Sequence, residues 1–170
     1  MNIKLNNVRL SFPALFEREK FEGKEGKFAA TFLSDKEKKE NYQAVIAECE
    51  RVQKEAKIKV PRDKWCIRDG DESEYDGYQG CWSIKASTDK RPTIVNRDRT
   101  PISKDDEILY AGCYVNAIIS LWVQNNQFGK RINANLLAVQ FVADGEEFSG
   151  IKPVDPDEVF ENLALDTSDL

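Results

Sequence analysis

Trp82, Lys85, Lys90, Arg91, Arg97 and Arg99 stand close together in residues 81–99, CWSIKASTDKRPTIVNRDR. Between positions 85 and 99, five bases are opposed only by Asp89 and Asp98, a local charge of +3. Cations beside an aromatic ring suit an extended single-stranded polynucleotide. Lysine and arginine neutralise phosphate, and bases stack on rings at about 1–3 kcal/mol each with little regard for sequence. A second cluster repeats the composition: Trp122, Phe128, Lys130 and Arg131, interleaved with Asn125, Asn126 and Gln127. The plainer reading makes both tryptophans core residues and the bases ordinary surface charge. Composition alone does not choose between them.

Other chemistries find less support. There is no histidine, which removes the commonest general base and a frequent metal ligand. The four cysteines, Cys49, Cys66, Cys81 and Cys113, form no C-x-x-C pair. Three have apolar or aromatic neighbours, so buried reduced thiols are expected. Residues 69–74 begin like a calcium loop, but Glu74 stands where the sharp turn needs glycine. Asp69, Asp71 and Lys85 are the carboxylates and lysine a two-metal nuclease would need, a composition too common to indicate one. Neither a phosphate-binding P-loop nor a dinucleotide-binding glycine pattern is present. No cofactor and no metal is expected.

The elements that would position these residues are mostly strands. Residues 2–12 alternate, with a kink at Asn6-Asn7 and a stop at Pro13. Residues 17–27 read as an exposed loop and 28–33 as a short apolar strand. One helix is expected over about 34–57. Ser34 and Glu37 form a capping-box pattern, and Tyr42, Val45, Ile46, Cys49, Val52 and Ala56 make one apolar face. Residues 64–80 read as a long loop. Strands follow at 81–87 and 93–95, the second expected to bring its arginines back toward the Trp82 edge. Residues 114–123 and 132–142 form a long hairpin about a turn at 124–130 that contains Gly129. This is a mainly β chain with one inserted helix, which suits a small OB-type barrel among other small barrels and sandwiches.

At 170 residues the chain fits one domain with a self-sufficient core. Its charge is unevenly placed. The chain is formally −5, and residues 153–170 carry Asp155, Asp157, Glu158, Glu161, Asp166 and Asp169 with no base, leaving residues 1–152 at +1. An acidic tail on a near-neutral body suits either a solvated terminus or a segment that competes with phosphate and docks on other proteins. Phe160 adds an apolar anchor, while Pro153 and Pro156 oppose a regular helix. With no signal-peptide pattern at the N-terminus and no long apolar block, a cytosolic location is expected.

The order of VRLSFPALFE (8–17), FAATFL (28–33), IRDGDE (67–72), YQGCWSIKASTDKRPTIVNRDRTPI (78–102) and YAGCYVNAIISLWVQNN (110–126), followed by an acidic C-terminus, resembles a bacteriophage family of single-stranded DNA-binding proteins. The likeness covers about residues 2–150. It implies an OB-type barrel, sequence-tolerant binding of single-stranded DNA without catalysis, and a tail for replication or recombination proteins. By position, residues 85–97 and the strand through Trp122 become the DNA face. Two features depart from the pattern. The tail ends in LDTSDL, without an acidic run closed by phenylalanine, and the body is only slightly basic. A second copy of the chain is a further candidate partner. The alternative functions are a non-catalytic assembly protein whose barrel binds protein and, third, a metal-dependent nuclease.

Overall fold

The computed structural model describes residues 1–75, 77–148 and 156–163. Strand β1 (Asn2–Ala14) buries Leu5, Val8 and Leu10 along its inner face. Its register against a later strand slips between Leu5 and Val8, at Asn7 with φ 53°. That is the kink expected at Asn6-Asn7. A second slip lies between Ser11 and Ala14, at Phe12 with φ 45°. Pro13 falls inside this irregularity, where its missing N–H breaks no ladder, so β1 continues to Ala14 instead of stopping.

The loop expected at 17–27 holds a miniature hairpin, β2 (Lys20–Phe21) and β3 (Lys24–Glu25), turned at Glu22 and Gly23, both with positive φ. Strand β4 (Phe28–Asp35) is buried along nearly its whole length. Helix α1 (Lys39–Ala56) starts four residues later than the Ser34 pattern suggests, its N-cap position falling at Lys38. Ser34 is still in β4, paired with Trp82, and its buried hydroxyl has no hydrogen-bond partner among the described residues. Instead Asp35 Oδ1 accepts the Glu37 N–H at 2.9 Å, an Asx turn that ends the strand. The expected apolar face is otherwise real. Val45, Cys49 and Val52 are buried, Tyr42 and Ile46 pack against them, and only Ala56 is exposed.

Strands β5 (Ile67–Asp69), β6 (Cys81–Thr88), β7 (Thr93–Val95), β8 (Tyr114–Asn126) and β9 (Gly129–Ala143) complete the sheet. The order is β5-β6-β4-β1-β8-β9-β7, and β6 also meets β9 in parallel at Ser87 and Asn135. That contact closes β6, β4, β1, β8 and β9 into a ring of hydrogen bonds around Leu5, Leu10, Phe32, Ile84, Ile119 and Leu136. This is the mainly β architecture with one helix that an OB-type reading leads one to expect. The hairpin turn is tighter than residues 124–130, since β8 and β9 stay paired to Asn126 and Gly129. Cys49 and Cys113 are buried, Cys66 and Cys81 half-buried, and all four are free thiols. In the acidic terminus a single helical turn, α2 (Pro156–Val159), forms despite the prolines, because Pro156 takes the first position, where no N–H is needed.

Candidate nucleic-acid interface

A cleft of about 600 Å³ opens on the side of the ring where β4 and β6 meet the start of β9. Lys64, Arg68, Lys85 and Arg131 line it, against one acid, Glu19. The Lys85 ammonium lies 3.9 Å from Glu19, while Lys64, Arg68 and Arg131 have no carboxylate partner among the described residues. A second lobe of about 830 Å³ shares Lys64, Arg68, Tyr75, Tyr78 and Ser83 with the first, so the two form one groove. Arg62, Lys64 and Arg68 there meet Asp63, Asp69 and Glu72. The first lobe is therefore cationic and the second balanced. A polyanion is drawn to the first.

The aromatic wall of the cleft comes from two sources. Phe12 is 46% exposed, turned outward by the bulge that gives it a positive φ. A non-glycine residue held in that region stores strain and commonly marks a functional position. Tyr75, 51% exposed, meets Phe12 edge-on with ring centroids 4.8 Å apart, and Tyr78 follows at 5.4 Å. Tyr78 is buried with its hydroxyl 2.8 Å from Ser11 Oγ. Burial pushes its phenol pKa up, so it stays a neutral hydrogen-bonding group.

Tyr75 and Tyr78 ride on an arm, residues 70–80, inside what the sequence reads as a long loop. The arm begins with a 3-10 turn (Gly70–Glu72) and ends at Gly80 before β6. At its neck, the Lys36 ammonium donates to Asp69 Oδ1 and Asp71 Oδ2, each at 2.6 Å. The hydrogen bonds to both carboxylates raise the lysine pKa, and the lysine lowers those of Asp69 and Asp71.

The sequence candidates are divided by this geometry. Lys85 and Arg131 line the cationic lobe. Trp82 lines the second lobe, but it also packs on Tyr42 of α1 and lies 5.2 Å from the Lys36 ammonium. Trp122 is 40% exposed and paired with Asn133, a cleft residue, on the outer face of β8 and β9. Phe128 and Lys130 are exposed at the hairpin tip. Lys90 is exposed beyond the end of β6, and the Arg91 guanidinium donates to the Phe16 carbonyl at 2.8 Å. Arg97 and Arg99 stand elsewhere. β7 does not fold back on β6 as expected. Both strands run parallel to β9, β6 meeting it at Asn135 and β7 from Ala138 to Gln140. The two arginines thus follow the far end of β9, roughly 30 Å along the strand from Arg131. Of the tail residues, Asp157, Phe160 and Glu161 are exposed. Asp155, Asp166, Asp169 and the Glu158 side chain lie outside the described residues.

Sequence reasoning passed over Phe12, Lys64, Arg68, Tyr75 and Tyr78. The one available signal was the run of glycines and tyrosines at 75–80, which is dense for a solvated loop.

Residues 1–169 match the family described as the single-stranded DNA-binding protein of Enterobacter phage Enc34. The chain belongs to this family. Among curated relatives, a putative protein p50 of Acyrthosiphon pisum secondary endosymbiont phage 1 is 37% identical over 162 residues, 88% of each chain. The Enc34 protein solved in complex with single-stranded DNA superposes with a TM-score of 0.79 at 36% identity, covering 87% of this chain and 89% of that one. The gp2.5 single-stranded DNA-binding protein of bacteriophage T7, 13% identical with a TM-score of 0.61 over 95% of this chain and 98% of that one, shares the fold. Within the Enc34 family, the resemblance drawn from the ordered motifs is thus correct.

Proposed function

We propose that the protein binds single-stranded DNA along the groove between the arm and the start of β9, near the tip of the β8–β9 hairpin. One observation carries this reading: four cations against one acid, in a lobe bordered by the exposed Phe12–Tyr75 pair. Arg68, Lys64, Lys85 and Arg131 hold phosphates, while Phe12 and Tyr75 offer ring faces to successive bases. Every base has such a face, so binding tolerates any sequence. The Enc34 relative bound to single-stranded DNA supports the same ligand class. Nothing in this scheme requires catalysis.

Residues 1–152 act as the binding body and 153–170 as an acidic tail that competes for the cationic lobe when DNA is absent. The exposed Val159, Phe160 and Leu163, set among acids, suit docking onto a replication or recombination protein, or onto a second copy. The work is done in the cytoplasm of the host cell.

The test is a titration of the full chain with oligo-dT and with duplex of equal length, across a salt series. Binding to the single strand should weaken linearly in log salt, with a slope of about 0.7 per phosphate contact. A protein that ignores oligo-dT at low salt would overturn the reading.

A further inference from the structure

The R-D-G-D motif at 68–71 places two acids beside a groove read as a site for a polyanion. On charge alone these acids oppose binding. Their hydrogen bonds give another reason for them. Asp71 Oδ1 accepts the Gly80 N–H at 2.7 Å, closing nine residues of chain into a loop with one contact. Its Oδ2 takes the Lys36 ammonium, and Asp69 Oδ1 accepts both that ammonium and the Asp71 N–H, at 2.6 and 3.0 Å. The chain is doubled tightly here. A Cβ on Gly70 would lie 2.1 Å from the Tyr78 carbonyl oxygen and 2.5 Å from that of Cys81, so position 70 admits only glycine. At the arm's other side Gly77 leaves room for the Phe148 ring, which a Cβ would meet at 2.3 Å. The arm is thus fixed at its neck by Asp71 and wedged at its flank by Phe148. Its product is the placement of Tyr75 against Phe12.

We propose that Asp71 is a positioning residue for nucleotide binding: by closing the neck of the arm onto Gly80, it holds Tyr75 in the cleft. The inference rests on the single-stranded DNA reading given above. Lys36 is the counter-ion that makes an acid tolerable at this place.

The test compares two full-length variants of equal charge. Asp71→Asn keeps an oxygen for the Gly80 N–H and Asp71→Ala does not. Glu72→Gln, the next residue and one that lines the second lobe, reports the effect of removing a charge without touching the neck. Oligo-dT binding by Asp71→Ala should be about tenfold weaker than by Asp71→Asn, the size of one lost base stack, with the same salt slope. In a Tyr75→Ala background the difference should vanish, because no ring remains to be placed. Asp71→Ser, too short to reach Gly80, is run beside the alanine variant and decides the matter should that one fail to fold. Equal binding by the asparagine variant and the short ones overturns the proposal, as does a difference that persists without Tyr75. A parent protein that binds no oligo-dT would instead sink the functional reading, and this inference with it.

Discussion

Two groups of four cations each, among the 25 bases of the body, are assembled in opposite ways. Lys90, Arg91, Arg97 and Arg99 are neighbours in sequence, yet β6 and β7 string them out along β9, and Arg91 is spent on the Phe16 carbonyl. Lys64 and Arg68, Lys85 and Arg131 come from three separate stretches and converge on one lobe. A strand advances roughly 3.3 Å per residue, so bases spread along one carry less focused field than bases gathered across a ring. Density of charge in sequence is a poor guide to density in space. Convergence is what a phosphate chain would meet.

The largest test of this contrast is aromatic. Phe12→Ala and Tyr75→Ala should each cost about 1–3 kcal/mol of oligo-dT affinity, the worth of one stacked base. Both rings are half-exposed, so thermal unfolding should move little. Trp122→Ala, on the hairpin face beside the cleft, should cost less. If Trp122 proves the costliest of the three, the stacking path runs along the hairpin and the arm is only scaffolding.

The cations give the next largest effect. Arg68→Gln and Arg131→Gln should each flatten the dependence of log affinity on log salt, by about 0.7 per lost phosphate contact. Arg97→Gln with Arg99→Gln should leave that slope unchanged. A flatter slope in the second pair would put the DNA path along β7 and erase the distinction drawn above.

The elements that strict periodicity governs were legible in the sequence. The β8–β9 hairpin, the apolar face of α1 and the kink at Asn6-Asn7 all follow from alternation, helical spacing and paired asparagines. What escaped depends on contacts between distant segments. Ser34 with Glu37 is a sound helix-start pattern, but Ser34 pairs with Trp82 in the sheet and the ladder prevails. Phe12 looks like one more inward strand residue. Only the bulge, set by the register against β4, turns it outward. Tyr75 sits in a stretch rich in acids and glycines that reads as solvated loop, and the fold of that stretch depends on Lys36, over thirty positions earlier. The cationic lobe was half legible, through Lys85 and Arg131. Lys64 and Arg68 are single bases in mixed surroundings, and nothing local marks them.

The smallest effect expected is that of the tail, and it compares the cleft with the segment proposed to rival DNA for it. The chain leaves β9 and is pinned at Phe148, before the tail acids begin at Asp155. The Phe148 N–H donates to the Ala111 carbonyl at 2.9 Å, and the Arg9 guanidinium lies 4.0 Å over the Phe148 ring, beside Gly77 of the arm. Phe148 thus holds the chain beside the arm that walls the cleft, and the acidic segment begins five positions later in the sequence, at Pro153. In the competition proposed above, such a tether would hold six carboxylates near the cations at an effective concentration of order millimolar. Deleting residues 153–170 keeps Phe148 and its clamp, and moves the formal charge from −5 to +1. The shortened protein should melt like the full chain and bind oligo-dT several-fold more tightly at low salt. The gain should fade toward and above 0.1 M, where the screening length falls to about 10 Å. A cut that also removes Phe148 should instead weaken binding, because the arm loses its wedge at Gly77. Equal affinity of the full and shortened chains at low salt would leave the tail no part in the cleft, and its exposed Phe160 and Leu163 would then belong to protein docking alone.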